Sequence, residues 1–236
     1  MTDDFNITIP ETLRDLNVAQ WQKYLTIYEK NKDAENTDFL EQKMLEIFCG
    51  VSLNNVNELG LAAFDETVTH LSRLLSSNTD LVTRFDLKGT DGAVVHFGMI
   101  PSLDKMSYGE FLDLEKYMFD NDNFHKALAV MYRPIKHYNK DKYLIHDYQG
   151  TELLSEVMKD TPLDVALGVR VFFWRLATKL GNYTMVSTLK ELQKTQEGRK
   201  DKHSLKSGEA IKQYLLSLEK MLAELEKLQS TPFTNV

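Results

Sequence analysis

One stretch of the chain, residues 97–135, constrains the fold most, because it contains the signals of a strand, a turn and two helices in direct succession. An extended segment ends at Pro101, whose missing amide suits the exit from a strand. Ser107 is followed three residues later by Glu110, which is the spacing of a capping box. In that motif the hydroxyl accepts from one backbone amide and the carboxylate accepts from another. The pair therefore predicts that a helix begins at residue 108.

Both helices of this stretch are predicted to belong to the core. The first is expected to present Phe111, Leu114 and Met118 to the interior. The second is capped by Asp122 and is apolar along most of its length. It is expected to end near Pro134, since a proline disfavours helical geometry in the residue before it. The stretch thus predicts the middle of the hydrophobic core.

Hydrophobic periodicity predicts further elements before this stretch. Apolar residues at helical spacing predict helices over residues 18–30, 38–48 and 65–77. Between residues 81 and 99 the period changes to two on both sides of the glycine-containing segment 88–92. This pattern predicts a β-hairpin.

Weaker signals predict two more strands and a central helix. Residues 5–10 alternate apolar and polar side chains and stop at a proline, which suits a short edge strand. Residues 143–145 predict one further short strand. The pair Thr161 and Pro162 is a typical helix start, and residues 163–180 after it are apolar on most sides, as expected of a helix that others bury.

The C-terminal part predicts a separate interaction element. Residues 198–207 are polar and charged and are interpreted as a linker between a main domain, residues 1–197, and a C-terminal helix, residues 208–236. That helix carries apolar residues four and three positions apart, here called the leucine seam: Ile211, Leu215, Leu218, Leu222 and Leu225. An apolar surface of this size is unfavourable in water and is expected to pack against another surface. Its own domain, another copy of the chain and a different protein all remain open as the receiving surface.

Charge and composition exclude some classes of protein. The 236 residues carry a net charge of −7, which argues against a protein whose main task is to bind nucleic acid. The N-terminal Asp3 and Asp4 do not suit a signal peptide, and no apolar run has the length of a bilayer span. We therefore expect a soluble protein that is not exported and has no membrane partner. The single cysteine, Cys49, is interpreted as a buried structural residue.

No motif in the sequence predicts catalysis, a cofactor or a metal site. The six histidines lack metal-ligand spacing, and His137, His146 and Asp147 are interpreted as surface or hydrogen-bonded residues. Arg133 follows an apolar helix and is expected to pair with a buried carboxylate or to cap that helix. The basic cluster in residues 199–206 is interpreted as part of the solvated linker.

Several framework segments resemble a group of proteins encoded in the virion-gene regions of tailed bacteriophages. They are residues 97–101, 106–114 and 129–135, together with the N-terminal Ile-Pro segment and the helix around residues 172–173, so that the likeness covers residues 5–185. The resemblance implies a morphogenesis role without catalysis, as a tail-assembly chaperone or a small component of the head–tail junction. It also implies other phage structural proteins as partners, and a location in the host cytoplasm during assembly or in the virion.

Taken together, these signals predict a mainly α fold of the α+β class, with one β-hairpin and a C-terminal helical extension. A phage assembly protein acting through protein–protein contacts is the preferred interpretation. The alternatives are a packaged virion protein, a nucleic-acid-binding factor that uses the basic linker, and an enzyme whose site assembles from scattered residues. Self-association through the leucine seam is compatible with the preferred interpretation.

Overall fold

The computed structural model of the chain describes residues 7–33, 38–89, 92–139 and 142–179. The chain divides into two compact units, residues 1–170 and 171–236, and only residues 171–179 of the second unit are described. The predicted linker, C-terminal helix and leucine seam lie outside the described residues, as does the predicted domain boundary at residue 197.

Helices make up most of the described chain. Three short 3-10 helices cover Leu13–Asp15, Leu103–Lys105 and Val157–Asp160. The α-helices are α1 (Val18–Asn31), α2 (Asp38–Phe48), α3 (Leu53–Asn57), α4 (Leu61–Leu75), α5 (Tyr108–Tyr117), α6 (Phe124–Met131), α7 (Glu152–Ser155) and α8 (163–179). The predicted helices over residues 18–30 and 38–48 are thereby confirmed.

A four-stranded antiparallel sheet accompanies the helices, in the order β1-β2-β3-β4. Its strands are β1 (Arg84–Lys88), β2 (Val94–Met99), β3 (Tyr132–Asn139) and β4 (Lys142–Ile145). The predicted hairpin is β1 and β2, which pair with Phe85 opposite Phe97. The protein thus has a mixed α+β fold. The sequence predicted a single hairpin, whereas the sheet contains a second one, formed by β3 and β4.

Strand β3 is a sheet element that the sequence did not predict. Helix α6 ends at Met131, and the backbone at Tyr132 is already extended. The strand then continues through Pro134, because Arg133 pairs with Gly98 and Pro134 with Phe97 on β2. The carbonyl of Pro134 also accepts a hydrogen bond from the amide of His146. The prediction that the helix ends before Pro134 is therefore confirmed. The proline itself lies within strand β3.

Gly98 on β2 leaves room for the ring of Tyr143 on β4. A Cβ atom at this position would collide with the ring of Tyr143 on β4. The hydroxyl of Tyr143 lies 2.9 Å from the carbonyl oxygen of Met99 and donates a hydrogen bond to it. Only glycine leaves room for an aromatic ring at this point of the sheet.

The core confirms most of the prediction made for residues 97–135. Phe97, Leu114, Met118, Phe124 and Leu128 are all buried. The ring of Phe97 stacks on Phe85, with 5.5 Å between the centroids, and Trp21 of α1 meets the ring of Phe124 edge-on. The middle of the chain is therefore the middle of the core, as predicted.

Phe111 is the exception, since it is exposed rather than buried. The prediction that it packs in the core was wrong because α5 is rotated to bury Glu110 beside Leu114. Successive helical residues point about 100° apart, so burial of residues 110 and 114 directs residue 111 outwards.

Two other local predictions were wrong. Of the predicted strand over residues 5–10, the described residues 7–10 form no strand. Instead, the carbonyl of Pro10 accepts a hydrogen bond of 2.9 Å from Nε2 of His70 on α4. Asp122 does not cap α6: the N-cap is Asn123, and Asp120 accepts from the amides of both residues.

Helix α8 is buried over its first two turns, so the burial predicted for residues 163–180 is confirmed for this part, whereas residues 171–179 are half-buried or exposed. Leu163, Val165, Ala166 and Val169 are inaccessible to solvent. Its start is fixed by a hydrogen bond from the amide of Leu163 to the carbonyl of Leu16, and by a bridge between Asn17 and Pro162.

Candidate binding cleft and exposed helix face

A buried ion pair joins α5 to the sheet. Nη1 of Arg133, on β3, lies 2.6 Å from Oε1 of Glu110, on α5, and their side chains are only 8% and 7% exposed. The expectation that Arg133 pairs with a buried carboxylate is confirmed. A pair this deeply buried fixes where α5 lies on the sheet, because separating it would leave a charge without compensation.

The capping box holds Glu110 in position for this pair. The amide of Ser107 donates to Oε2 of Glu110 at 2.6 Å, and the amide of Glu110 donates to the hydroxyl of Ser107 at 3.3 Å. Burial disfavours the charge of Glu110, but the hydrogen bonds from Ser107 and the charge of Arg133 outweigh this effect. The pKa of Glu110 consequently lies below its ordinary value.

Tyr148 packs next to the same ion pair. Its ring lies 5.7 Å from the guanidinium carbon of Arg133, and its hydroxyl donates to Asp113 of α5 at 2.5 Å. Burial, followed by this hydrogen bond and the charge of Asp113, raises the pKa of Tyr148 well above its ordinary value. The tyrosine therefore stays neutral and keeps donating at any physiological pH.

Beside these residues lies a cleft of about 430 Å³, here called the Arg133 cleft. It is bounded by α6, the start of α7, the first residues of β3 and the segment that follows β4. Its polar lining residues are Arg133, Lys136, His146, Asp147, Tyr148 and Gln149. Ala129, Pro134, Leu153 and Leu154 supply its apolar part.

The structure places the residues singled out in the sequence as follows. His146 and Asp147 both line the Arg133 cleft, whereas His137 is exposed on β3 opposite Leu144. Cys49 is buried, and burial raises the pKa of its thiol to about 11. The basic cluster, like the leucine seam, lies outside the described residues.

The exposed face of α5 is a feature that the sequence analysis missed. Tyr108, Phe111 and Leu112 are 76%, 52% and 44% exposed. Phe111 and Leu112 follow Tyr108 at spacings of three and four residues, so the three side chains share the solvent-exposed side of the helix, whereas Glu110 and Leu114 are buried. The signal was available in the sequence, because both faces of α5 carry large apolar residues and only one face can be buried in the same core.

The described histidines that form hydrogen bonds do so with structural partners. Nδ1 of His125 lies 3.1 Å from Oε1 of Gln22 in the interior, and Nδ1 of His96 lies 2.7 Å from Oδ1 of Asp86 on the neighbouring strand. Within the described part of the chain, no three His, Cys, Asp or Glu side chains converge as metal ligands would. Among the same residues, no helix combines the length and the apolar composition needed to cross a bilayer.

Comparisons with models of protein families, with curated proteins and with solved structures find no match to this chain.

Proposed function

We propose that this protein is a non-enzymatic morphogenesis protein of a tailed bacteriophage, which acts by binding other structural proteins of the phage. The phage assignment rests on the resemblance of the framework segments in residues 5–185. Action through protein contacts has separate support from the exposed face of α5.

The face formed by Tyr108, Phe111 and Leu112 is the observation that carries the proposal. Large aromatic residues are enriched at protein interfaces, and adjacent exposed ones mark interaction sites more often than scattered ones do. The helix that bears them is anchored by the Arg133–Glu110 pair and by the capping box. The face is therefore presented on a rigid support, which limits the entropy lost when a partner binds.

Complementation of a phage that lacks the gene tests this role. Phe111→Asp places a charge on the face, and we expect phage yield and recovery of co-purified phage structural proteins to fall about tenfold or more. Leu61→Asp is the matched control, because Leu61 is even more exposed and lies on α4. Unchanged yield with Phe111→Asp, in a protein that melts like the wild type, would contradict the proposal.

Mass spectrometry of purified virions separates the two roles within this proposal. A tail-assembly chaperone is absent from the finished particle, whereas a component of the head–tail junction is present at a fixed copy number. Detection at a fixed ratio to the major capsid protein would therefore assign the protein to the particle.

A further inference from the structure

We propose that the Arg133 cleft binds a carboxylate carried on a short apolar stem. This inference does not depend on the proposed role in phage assembly. It rests on the unused hydrogen-bonding capacity of Arg133, on the charges around the cleft and on its apolar part.

Arg133 is a buried cation that lines the cleft with its donors only partly used. A guanidinium has five N–H donors in a planar fork, and Nη1 is the one that faces Glu110. Nε is buried and has no hydrogen-bond partner among the described residues. A small shift of the side chain towards the cleft would let it share a carboxylate in the two-pronged geometry that arginine favours.

The charges around the cleft disfavour a doubly charged anion. Glu110 already balances Arg133, and Asp147 lies on the lining together with Lys136 and His146. Lys136 is thus matched against Asp147, the carboxylate of Glu152 lies next to Gly150 of the lining, and the histidine can add a donor. A doubly charged phosphate would meet too little positive charge here, whereas a carboxylate would meet Lys136 and the fork of Arg133.

The rest of the cleft suits an apolar stem. Ala129, Leu153 and Leu154 contribute apolar side chains to its lining. Its volume of about 430 Å³ lies within the range of small-ligand sites. A ligand about the size of one acylated amino acid would fill it, with the carboxylate towards Arg133 and the side chain towards Leu153 and Leu154.

Such a carboxylate can belong to a small organic acid or to the C-terminus of a protein. Both are probed with the same chemistry, using N-acetyl-leucine and an acetylated tetrapeptide that ends in leucine. Tighter binding of the tetrapeptide assigns the cleft to protein termini, and equal or weaker binding assigns it to small acids. Either result supports the proposal.

Titration of the full chain, followed by amide chemical shifts, provides the test. N-acetyl-leucine should shift the signals of residues 146–154 and bind about tenfold more tightly than the uncharged N-acetyl-leucinamide. Lys136→Met should weaken binding of the acid about threefold, as expected for the loss of one exposed charge, and should leave binding of the amide unchanged. Lys142→Met is the matched control, because Lys142 is exposed on the adjoining strand and does not line the cleft.

Three results would overturn the proposal. They are equal affinity of the acid and the amide, equal affinity of wild type and Lys136→Met for the acid, and absence of shifts in residues 146–154 at saturating acid. Because none of these measurements involves Phe111 or phage yield, the cleft proposal and the assembly proposal fail independently.

Discussion

Among the residues that the structure describes, two arginines are buried, and the chain stabilises them in different ways. Arg133 faces a carboxylate at 2.6 Å and lines a cleft. Arg170 packs against two aromatic rings, 5.1 Å from the centroid of Trp21 and 5.2 Å from that of Phe124, and donates to Oδ1 of Asn121 at 2.7 Å. Burial lowers the pKa of Arg170 to about 10, whereas Glu110 compensates the charge of Arg133.

The difference shows what each residue does. Arg170 fills a closed part of the core, where its flat group packs on aromatic faces by cation–π attraction. Arg133 ties a helix to a strand through a charge pair and remains at the edge of a cavity. Removing only one partner of a buried ion pair strongly destabilises the fold. The two arginines are therefore expected to respond differently to the same substitution.

Arg133→Met is expected to have the largest effect. It leaves the carboxylate of Glu110 buried without its cation, which costs about 3–5 kcal/mol in the free energy of unfolding. Urea denaturation measures this loss. The double variant Glu110→Gln, Arg133→Met should recover most of it, since no buried charge then remains. If the double variant is as unstable as the single one, lost packing rather than the unpaired charge is the cause.

Arg170→Met is expected to cost less, about 1–2 kcal/mol by the same measurement. It removes the cation–π contacts and leaves Oδ1 of Asn121 without its donor, but it also removes a charge that burial disfavours. A loss as large as that of Arg133→Met would contradict the comparison, because it would show that aromatic rings compensate a buried cation as fully as a carboxylate does.

Ser107→Ala should cost about 1 kcal/mol, the usual effect of losing an N-cap hydroxyl. The amide of Ser107 still donates to Glu110 in this variant, so the Arg133–Glu110 pair should persist. The matched variant Ser107→Thr keeps the hydroxyl and should lose only a fraction of this stability. Equal losses in both variants would mean that the hydroxyl itself does not stabilise α5.

The Arg133–Glu110 pair should also make stability depend on pH, with a smaller effect than the substitutions above. Because the pKa of Glu110 is lower in the folded than in the unfolded protein, its stabilisation is present above the unfolded value of about 4.3 and is lost as the pH falls through the folded value. Glu110→Gln should therefore flatten the stability curve below about pH 4.3, in unfolding measured from pH 7 to 3. An unchanged slope would show that the pair does not lower this pKa.

Phe111→Ala should have the smallest effect on stability, within about 0.5 kcal/mol, because the ring is exposed. Leu114→Ala, on the buried face of the same helix, should cost about 2–5 kcal/mol. Thermal melting of both variants separates the two faces of α5. A large loss from Phe111→Ala would show that its face is covered in the full chain.

The parts of the fold that local chemistry fixes could be predicted from the sequence. The capping box at Ser107 and Glu110 depends on residues within one helical turn. The hairpin of β1 and β2 follows from an alternating pattern on both sides of a short turn. In each case the partners are close in the chain, so the spacing of residue types already specifies the contact.

The candidate cleft could be predicted only in fragments. Arg133 was expected to find a carboxylate, but neither Glu110 as its partner nor Tyr148 as its neighbour follows from spacing. His146 and Asp147 stood out as adjacent polar residues, and nothing local places them on the same cavity as Leu153 and Leu154. Contacts between distant parts of the chain depend on how the helices and strands pack, which no single segment encodes.

By itself the sequence determined where α1, α2 and α5 begin and that residues 97–135 form the centre of the core, because capping, periodicity and proline act over a few residues. The start of α4, predicted at residue 65, lies at Leu61. Only the tertiary structure decided which way α5 faces. Both of its faces carry large apolar side chains, so hydrophobicity alone does not choose between Phe111 and Leu114. The buried charge of Arg133 decides, because it needs Glu110 beside it, and this turns Phe111 towards the solvent.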